Sequence, residues 1–327
     1  MIKSRYWQAV RGVCILAVIM IHCPVGQNGL DQIVWLALRQ LINFPVAIFI
    51  FMAGYFIKPE KVNADYIINR GGGRLLLPFL LWDVIYTVKN VLFGDNVEWK
   101  SVLFDFLTGR AAAPLYYILV LFQLTLLTPF ILKKAGKKWL YLITPVYLCV
   151  IYIWTVIAGA PPRLYGTVFP AWLLFYLLGI DCRAGRLERY VQKSSGVWVI
   201  VAVGIELLET IVLYVGGCSI TLASSQLKFS SCLYAATILL CLKKNEDKVQ
   251  CNTWISNIGD CSFGIFFLHC MVLWIVKKIL SMVGIDHCWI AFWMLTFLLT
   301  TFISYTLVML IRNKVGDMKK LRWIGFD

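Results

Sequence analysis

RGVCILAVIMIH, residues Arg11–His22, is an apolar segment with an arginine at one end and a histidine at the other. On an α-helix, a separation of eleven residues makes three turns and about 20° more, so both side chains lie on one face. At 1.5 Å per residue, they are about 16 Å apart along the helix axis. The residues from Val13 to Ile21 carry no charge, which is typical of a protein core or of a membrane span.

The composition of the whole chain favours the membrane. Of 327 residues, 60% are hydrophobic and 15% are charged, and the mean hydropathy is +0.77. Soluble domains average about 45–50% apolar and about 25% charged residues. Repeated apolar segments of about 20 residues indicate a polytopic membrane protein. We therefore predict an all-α fold that forms a single integral-membrane domain over residues 1–327, with no soluble domain.

Ten apolar segments are candidate spans. They cover roughly residues 8–27, 34–57, 75–93, 113–132, 139–159, 168–181, 196–216, 229–242, 255–276 and 288–311. With ten spans, most of the 31 Lys and Arg residues fall on the side of the N-terminus, as the positive-inside rule requires of cytoplasmic loops. We predict about ten transmembrane helices with both termini in the cytoplasm. The net charge of +14 then reflects topology, and nucleic-acid binding is not expected.

The eleven cysteines form no CxxC motif and no Cys/His ligand cluster. Several lie inside apolar segments, as small buried residues do. Their odd number and their positions argue against a disulfide framework or a zinc site. We predict no metal.

An ionisable residue inside a span is costly to bury and is a functional candidate by default. His22 is the first candidate, because a neutral imidazole can accept a proton from a hydroxyl at physiological pH. The alternative is a histidine that only packs between helices. Asp83 is a second candidate, either as a partner of a buried arginine or as part of a proton path.

Two further stretches carry polar groups. In NRGGGRLLLPFLLW, Asn69–Trp82, Arg70 and Arg74 are four residues apart and suit a phosphate or pyrophosphate group. The alternative is an ordinary basic flank of a span. In IGDCSFGIFFLH, Ile258–His269, Ser262 and His269 are seven residues apart and share nearly one helix face. The glycines of that stretch permit close helix packing.

Taken in order, these stretches resemble the membrane-bound acyltransferase-3 family. The matching motifs are the Arg-x10-His of Arg11–His22, FIFMAGYF at Phe49–Phe56, the basic entry with Arg70, Arg74, Pro78 and Trp82, PLYYILVLFQLTLLTP at Pro114–Pro129, and SFGIFFLH at Ser262–His269. Ala53 stands where the family usually has serine, and Tyr116 where it usually has tryptophan. We interpret both as packing positions.

The resemblance implies an O-acetyltransferase of the cell membrane. It would move an acyl group, by default acetyl, from cytoplasmic acyl-CoA to a hydroxyl of a cell-surface or lipid-linked carbohydrate. No permanently bound cofactor is implied, since acetyl-CoA is a co-substrate. The partners are acyl-CoA, the carbohydrate or glycolipid acceptor and the bilayer, and homodimer formation is left open.

The resemblance also implies roles for residues of this chain. His22 would be the general base, with Arg11 on the same helix. Arg11, Arg70 and Arg74 would hold the phosphates of the donor. The auxiliary or substrate positions would be His269, Ser262, Trp82, Asp83 and Tyr116. The alternative function is a multi-span transporter or flippase of a glycolipid or small solute. Ten spans and buried charges would suit such a transporter as well as they suit an acyltransferase.

Overall fold

A computed structural model describes residues 5–26, 29–94, 98–249 and 252–326. These residues form helices and no β-strand, which confirms the all-α prediction. The helices are α1 (Arg5–His22), α2 (Gly29–Leu41), α3 (Pro45–Tyr55), α4 (Ala64–Ile67), α5 (Leu77–Phe93), α6 (Trp99–Thr108), α7 (Tyr116–Lys134), α8 (Ile143–Ala158), α9 (Leu173–Arg183), α10 (Glu188–Lys193), α11 (Gly196–Val215), α12 (Ile220–Ala223), α13 (Phe229–Lys244), α14 (Thr253–Asp260), α15 (Ser262–Met282), α16 (Trp289–Val315) and α17 (Met318–Trp323). A π-helical stretch, Ile68–Leu76, joins α4 to α5, and short 3₁₀ segments occur at Pro59–Lys61, Lys138–Leu142, Phe169–Ala171 and Ile285–His287.

Within the described ranges, seven helical segments are long and apolar enough to cross a membrane. They are Gly29–Tyr55, Ala64–Phe93, Tyr116–Lys134, Lys138–Ala158, Gly196–Val215, Ser262–Met282 and Trp289–Val315. Segments of this length and hydropathy are typical of a multi-pass membrane protein. The count of about ten spans and the cytoplasmic position of the termini stay predictions.

The other three predicted spans are helical but shorter or more polar. The predicted span 168–181 corresponds to α9, with 11 residues, and 229–242 to α13, with 16, whereas a crossing helix needs about 20. The predicted span 8–27 corresponds to α1, and its predicted end at residue 27 lies outside the described residues. Helix α1 includes Arg5 and Arg11 and buries most of its 18 residues within the protein.

Two predicted spans are interrupted. The span predicted at 34–57 consists of α2 and α3, because Pro45 begins α3 and proline has no N–H to continue a preceding helix. The span predicted at 255–276 begins inside α14, and the chain leaves the regular helix at Cys261 before α15. The span predicted to begin at residue 75 is instead the end of a helical segment that starts at Ala64.

The chain divides into two compact units. Unit 1 comprises Met1–Asp31, Asn63–Leu126 and Cys251–Asp327, and unit 2 comprises Gln32–Val62 and Leu127–Gln250. The predicted single domain over residues 1–327 stays a prediction. All the candidate site residues belong to unit 1.

In unit 1, the backbones of α1 and α14 touch. A Cβ atom built on Gly259 would lie 1.7 Å from the carbonyl oxygen of Gln8, and one built on Gly12 would lie 2.2 Å from that of Ile255. No real Cβ fits at such distances, so both positions need glycine, as in close crossings of membrane helices. This contact fixes the half of α1 that carries Arg11.

In unit 2, a buried lysine organises a polar core. The Lys228 ammonium group is 0% exposed and donates to Gln40 Oε1 at 2.8 Å, Thr210 Oγ1 at 2.5 Å and the Ala223 carbonyl at 2.9 Å. Glu206 is also fully buried, and its charge acts on Lys228. Buried charges are tolerated when they are paired and hydrogen-bonded. The contacts within this cluster therefore explain its burial, and we interpret it as a structural core of unit 2.

Candidate active site

Helix α1 is regular from Arg5 to His22, so the predicted spacing of Arg11 and His22 holds along one helix. Both side chains are partly exposed, while most of the residues between them are buried. The helix thus presents two polar groups, about 16 Å apart along its axis, from an otherwise apolar and tightly packed element.

The imidazole rings of His22 and His269 face each other. Their centroids are 5.5 Å apart, and the ring planes are inclined by 39°. His269 lies on α15 and is 0% exposed, whereas His22 is partly exposed. The structure therefore brings together two residues that are 247 positions apart in the sequence, and both were candidates from the sequence.

Backbone contacts define the tautomer of His269. Its Nδ1 atom lies 3.0 Å from the Ile265 carbonyl oxygen and 2.8 Å from that of Phe266. A carbonyl oxygen only accepts hydrogen bonds, so Nδ1 must carry the proton and donate. In the neutral ring, Nε2 then keeps its lone pair, and the Cys270 thiol lies 3.4 Å from it. His269 is thus arranged to accept at Nε2.

The arginines are divided between two environments. Arg70, in the π-helical stretch, is partly buried and donates to the hydroxyl of Tyr66. The charges of Arg70 and Arg11 both act on the hydroxyl of Tyr117, so both arginines belong to the surroundings of that residue in unit 1. Arg74 is exposed. Guanidinium groups suit an anion such as a phosphate.

Tyr117 connects the arginine end with α15. Its ring centroid lies 5.4 Å from that of Phe266 in an edge-on arrangement, and Phe266 lies 6.3 Å from the ring of His269. Tyr116, the neighbouring sequence candidate, is partly exposed at the start of α7. Tyr117, whose ring contacts that of Phe266 on α15, is a residue that the sequence analysis did not select.

Ser262 does not join the histidine pair. It is buried at the start of α15, seven residues before His269, which corresponds to about 10 Å along the axis. That distance is too long for a hydrogen bond. The shared helix face predicted from the sequence exists, but the two side chains occupy different levels of it.

Trp82 and Asp83 lie side by side on α5 with different surroundings. The Trp82 indole N–H donates to the Ile324 carbonyl at 3.0 Å, and its ring stacks on those of Phe267 and Phe326. Asp83 is 0% exposed, and within the described part of the chain neither carboxylate oxygen has a hydrogen-bond partner. The predicted pairing of Asp83 with a buried arginine is therefore not formed by a hydrogen bond.

Tyr86, one turn after Trp82, is a second residue that the sequence analysis missed. Its hydroxyl donates to the Phe267 carbonyl at 2.6 Å and accepts from the Met271 N–H at 3.2 Å. These two backbone groups flank His269 on α15. The only local signal was that Tyr86 and Trp82 share one face of α5, because they are four residues apart.

A cavity of about 490 Å³ opens elsewhere in unit 1, between α14, α16 and α17. Asp260, Arg312 and Met318 are among its lining residues, and neither His22 nor His269 is. Arg312 donates to the carbonyls of Phe326 and Asp260, so its guanidinium group is used within the fold. We therefore centre the candidate active site on the histidine pair and not on this cavity.

Among the described residues, no group of three or more His, Cys, Asp or Glu side chains is arranged to hold a metal ion. None of the ten cysteines in the described ranges forms a disulfide bond. The two imidazoles of His22 and His269 lie together, and imidazoles are suited to proton transfer, whereas the guanidinium groups of Arg11 and Arg70 are suited to anion binding.

Comparison with protein families gives one match. The model of an acyltransferase domain, Acyl_transf_3, matches residues 4–311, nearly the whole chain. No curated protein and no solved structure matches the chain. The match spans both histidines and every arginine of the candidate active site.

Proposed function

The chain belongs to the acyltransferase-3 family, and from that premise we propose that it is a membrane-bound O-acyltransferase. It transfers an acyl group, by default acetyl, from cytoplasmic acyl-CoA to a hydroxyl of a cell-surface or lipid-linked carbohydrate. The observation that supports this function best is the His22–His269 pair, whose ring centroids are 5.5 Å apart. His22 lies on α1, the helix that also carries Arg11. The protein acts in the cell membrane, with both termini in the cytoplasm.

The donor binds at the arginine end. Coenzyme A carries three phosphate groups, and the charges of Arg11 and Arg70 both act on Tyr117, so in this proposal the two arginines hold one or more of the phosphates there. Arg74 is exposed on the same π-helical stretch and adds positive charge to the entry. The distance of about 16 Å from Arg11 to His22 matches the reach of an extended pantetheine arm, so the thioester arrives beside His22.

The reaction is a direct acyl transfer. His22 takes the proton of the acceptor hydroxyl, whose oxygen attacks the thioester carbonyl. The tetrahedral intermediate collapses, the C–S bond breaks, and protonated His22 returns its proton to the leaving thiolate of CoA. General-base assistance contributes about 10²- to 10⁴-fold to such a step. His22 is neutral again at the end, and no permanently bound cofactor is required.

The test compares three versions of the chain in a strain that lacks surface O-acetylation: wild type, His22→Ala and His287→Ala. His287 is the matched control, because it is exposed and lies in the 3₁₀ segment Ile285–His287. Mass spectrometry of the surface glycan should detect added acetyl groups with the wild type and with His287→Ala. With His22→Ala, acetylation should fall at least 100-fold.

Two outcomes would contradict the proposal. If His22→Ala acetylates as well as wild type, His22 is not the general base. If the purified, folded wild type binds CoA, moves a glycolipid or solute across vesicles and modifies none, the transporter or flippase alternative is correct.

A further inference from the structure

The hydroxyl of Tyr86 occupies an unusual place in the structure. Tyr86 is 2% exposed, donates to the Phe267 carbonyl and accepts from the Met271 N–H. In an α-helix, the N–H of a residue pairs with the carbonyl four residues earlier, so Phe267 and Met271 are natural partners. The Tyr86 hydroxyl therefore bonds to both members of one pair in the hydrogen-bond ladder of α15.

The residue at the centre of that turn is His269. A hydroxyl that is hydrogen-bonded to both backbone groups restrains this turn of α15, which is a continuous helix from Ser262 to Met282, and with it the direction of the side chains on the turn. His269 Nδ1 donates to the carbonyls of Ile265 and Phe266 in the preceding turn. The preceding turn of α15 therefore binds the His269 imidazole, while Tyr86 restrains the backbone of the turn that contains His269.

Helix α5 holds this turn at a second point. The Trp82 ring stacks on that of Phe267 with centroids 6.1 Å apart and planes inclined by 12°. Trp82 and Tyr86 lie on one face of α5, so an aromatic contact and a bridging hydroxyl both act on the segment of α15 around Phe267. A packing contact needs only the Tyr86 ring, whereas the observed geometry uses its hydroxyl twice.

We propose that Tyr86 is a positioning residue for acyl transfer: its hydroxyl sets the turn of α15 that holds the His269 ring against His22. The inference rests on the proposed function for its effect on turnover. Its structural part, the orientation of His269, can be measured without any reaction.

Tyr86→Phe is the decisive variant. It removes only the hydroxyl, and the Phe267 carbonyl and Met271 N–H can then pair with each other, so no buried backbone group is left without a partner. Displacement of a reacting or orienting group by about 1 Å can cost about 100-fold in rate. We expect kcat to fall about 10- to 100-fold, with the KM for acetyl-CoA within twofold of wild type, because the donor arginines are untouched.

Tyr147→Phe is the matched control. The Tyr147 hydroxyl donates to a backbone carbonyl, that of Tyr165, at the same 2.6 Å, but it belongs to unit 2, whereas all the candidate site residues belong to unit 1. This variant should keep the kcat and KM of the wild type. An equal loss of kcat in both variants would overturn the proposal in favour of a general effect of losing a phenol that is hydrogen-bonded to the backbone.

A spectroscopic measurement tests the orientation of His269 directly. The chain has three histidines, so ¹⁵N-histidine labelling gives a simple ring spectrum, assigned with His22→Ala and His287→Ala. The wild type should show His269 protonated at Nδ1, and Tyr86→Phe should shift the ring signals of His269 and not those of His287. If Tyr86→Phe does not fold, 3-fluorotyrosine at position 86 replaces it, because it keeps the ring and strengthens the phenol as a donor.

The outcomes separate the two claims. If His22→Ala is as active as wild type, the general base is wrong, while the His269 signals still decide the role of Tyr86. If His22→Ala is inactive but Tyr86→Phe keeps its kcat and the His269 signals of the wild type, the proposed function stands and the positioning role of Tyr86 is wrong.

Discussion

Replacing Gly259 with alanine tests how far the candidate active site depends on the packing of α1 against α14. The added Cβ would lie 1.7 Å from the Gln8 carbonyl oxygen and 2.9 Å from the Gly12 nitrogen. A close carbon–oxygen contact requires about 3.3 Å, so the two backbones must separate by roughly 1.6 Å. The neighbours are main-chain atoms, which cannot rotate away as a flexible side chain would.

The separation should affect both stability and turnover. Overpacking of this kind costs about 1–3 kcal/mol or more, and α1 carries His22. A shift above 1 Å predicts a loss of kcat of about 100-fold, which steady-state acyl transfer by detergent-purified protein would measure, after size-exclusion chromatography to select the folded fraction.

Gly204→Ala supplies the control for that experiment. Gly204 lies in α11, and a Cβ there would meet no atom within 4 Å, so this variant should keep full activity and gain up to about 1 kcal/mol from helix propensity. Wild-type kcat and thermal stability in Gly259→Ala would refute the reasoning, because they would show that α1 can move without consequence for the site.

Three further predictions concern charged groups. Replacing Lys228 with methionine leaves three buried acceptors without their donor, so the free energy of unfolding should fall by about 3–5 kcal/mol. Chemical unfolding would measure this loss, and Lys248→Met, at an exposed position, should change the free energy of unfolding little. Burial lowers the pKa of Lys228 from 10.5 to about 8, although Glu206 and Glu209 oppose the shift. Between pH 8 and about 10.5 the unfolded state therefore binds more protons than the folded state, and stability should rise with pH in wild type but not in Lys228→Met; a flat wild-type profile contradicts this. Arg70→Ala should raise the KM for acetyl-CoA about tenfold with little change in kcat, since uniform binding is lost, and an unchanged KM would remove Arg70 from the donor site.

Local features of the site were predictable from the sequence because they depend on helix geometry alone. The spacing of Arg11 and His22 requires only that residues 11–22 be helical, and an uninterrupted apolar run predicts that. The glycine at 259 was predicted to pack closely, and it touches the backbone of Gln8. Each of these inferences uses periodicity or side-chain size, which a single sequence displays.

Contacts between distant segments were not predictable in the same way. His269 was a candidate, but its position opposite His22 depends on how α15 packs in unit 1. The role of Tyr86 depends on the hydroxyl reaching two backbone groups more than 180 residues away, and nothing in its neighbourhood distinguishes it from the other tyrosines.

The burial of individual charged residues was also not predictable from the sequence. Lys228 lies between two predicted spans, 196–216 and 229–242, where the sequence gives no sign that a basic side chain is buried. The structure buries it completely, since Gln40, Thr210 and Ala223 together supply acceptors that lie far apart in the sequence. Likewise, the sequence does not indicate that the glycines after Arg70 are part of a π-helical stretch, in which Gly71 packs on the ring of Phe122.

The different burial of the two histidines gives them different parts in the proposed reaction. A general base must come within hydrogen-bond distance of the hydroxyl that it deprotonates. His269 has no exposed surface, so an acceptor could not reach it without displacing its neighbours, whereas His22 is partly exposed. We therefore propose that His22 is the histidine that meets the acceptor. In this proposal His269, held as the Nδ1–H tautomer by two carbonyls, lies 5.5 Å from His22 between ring centroids and orients that ring without itself taking the proton of the acceptor.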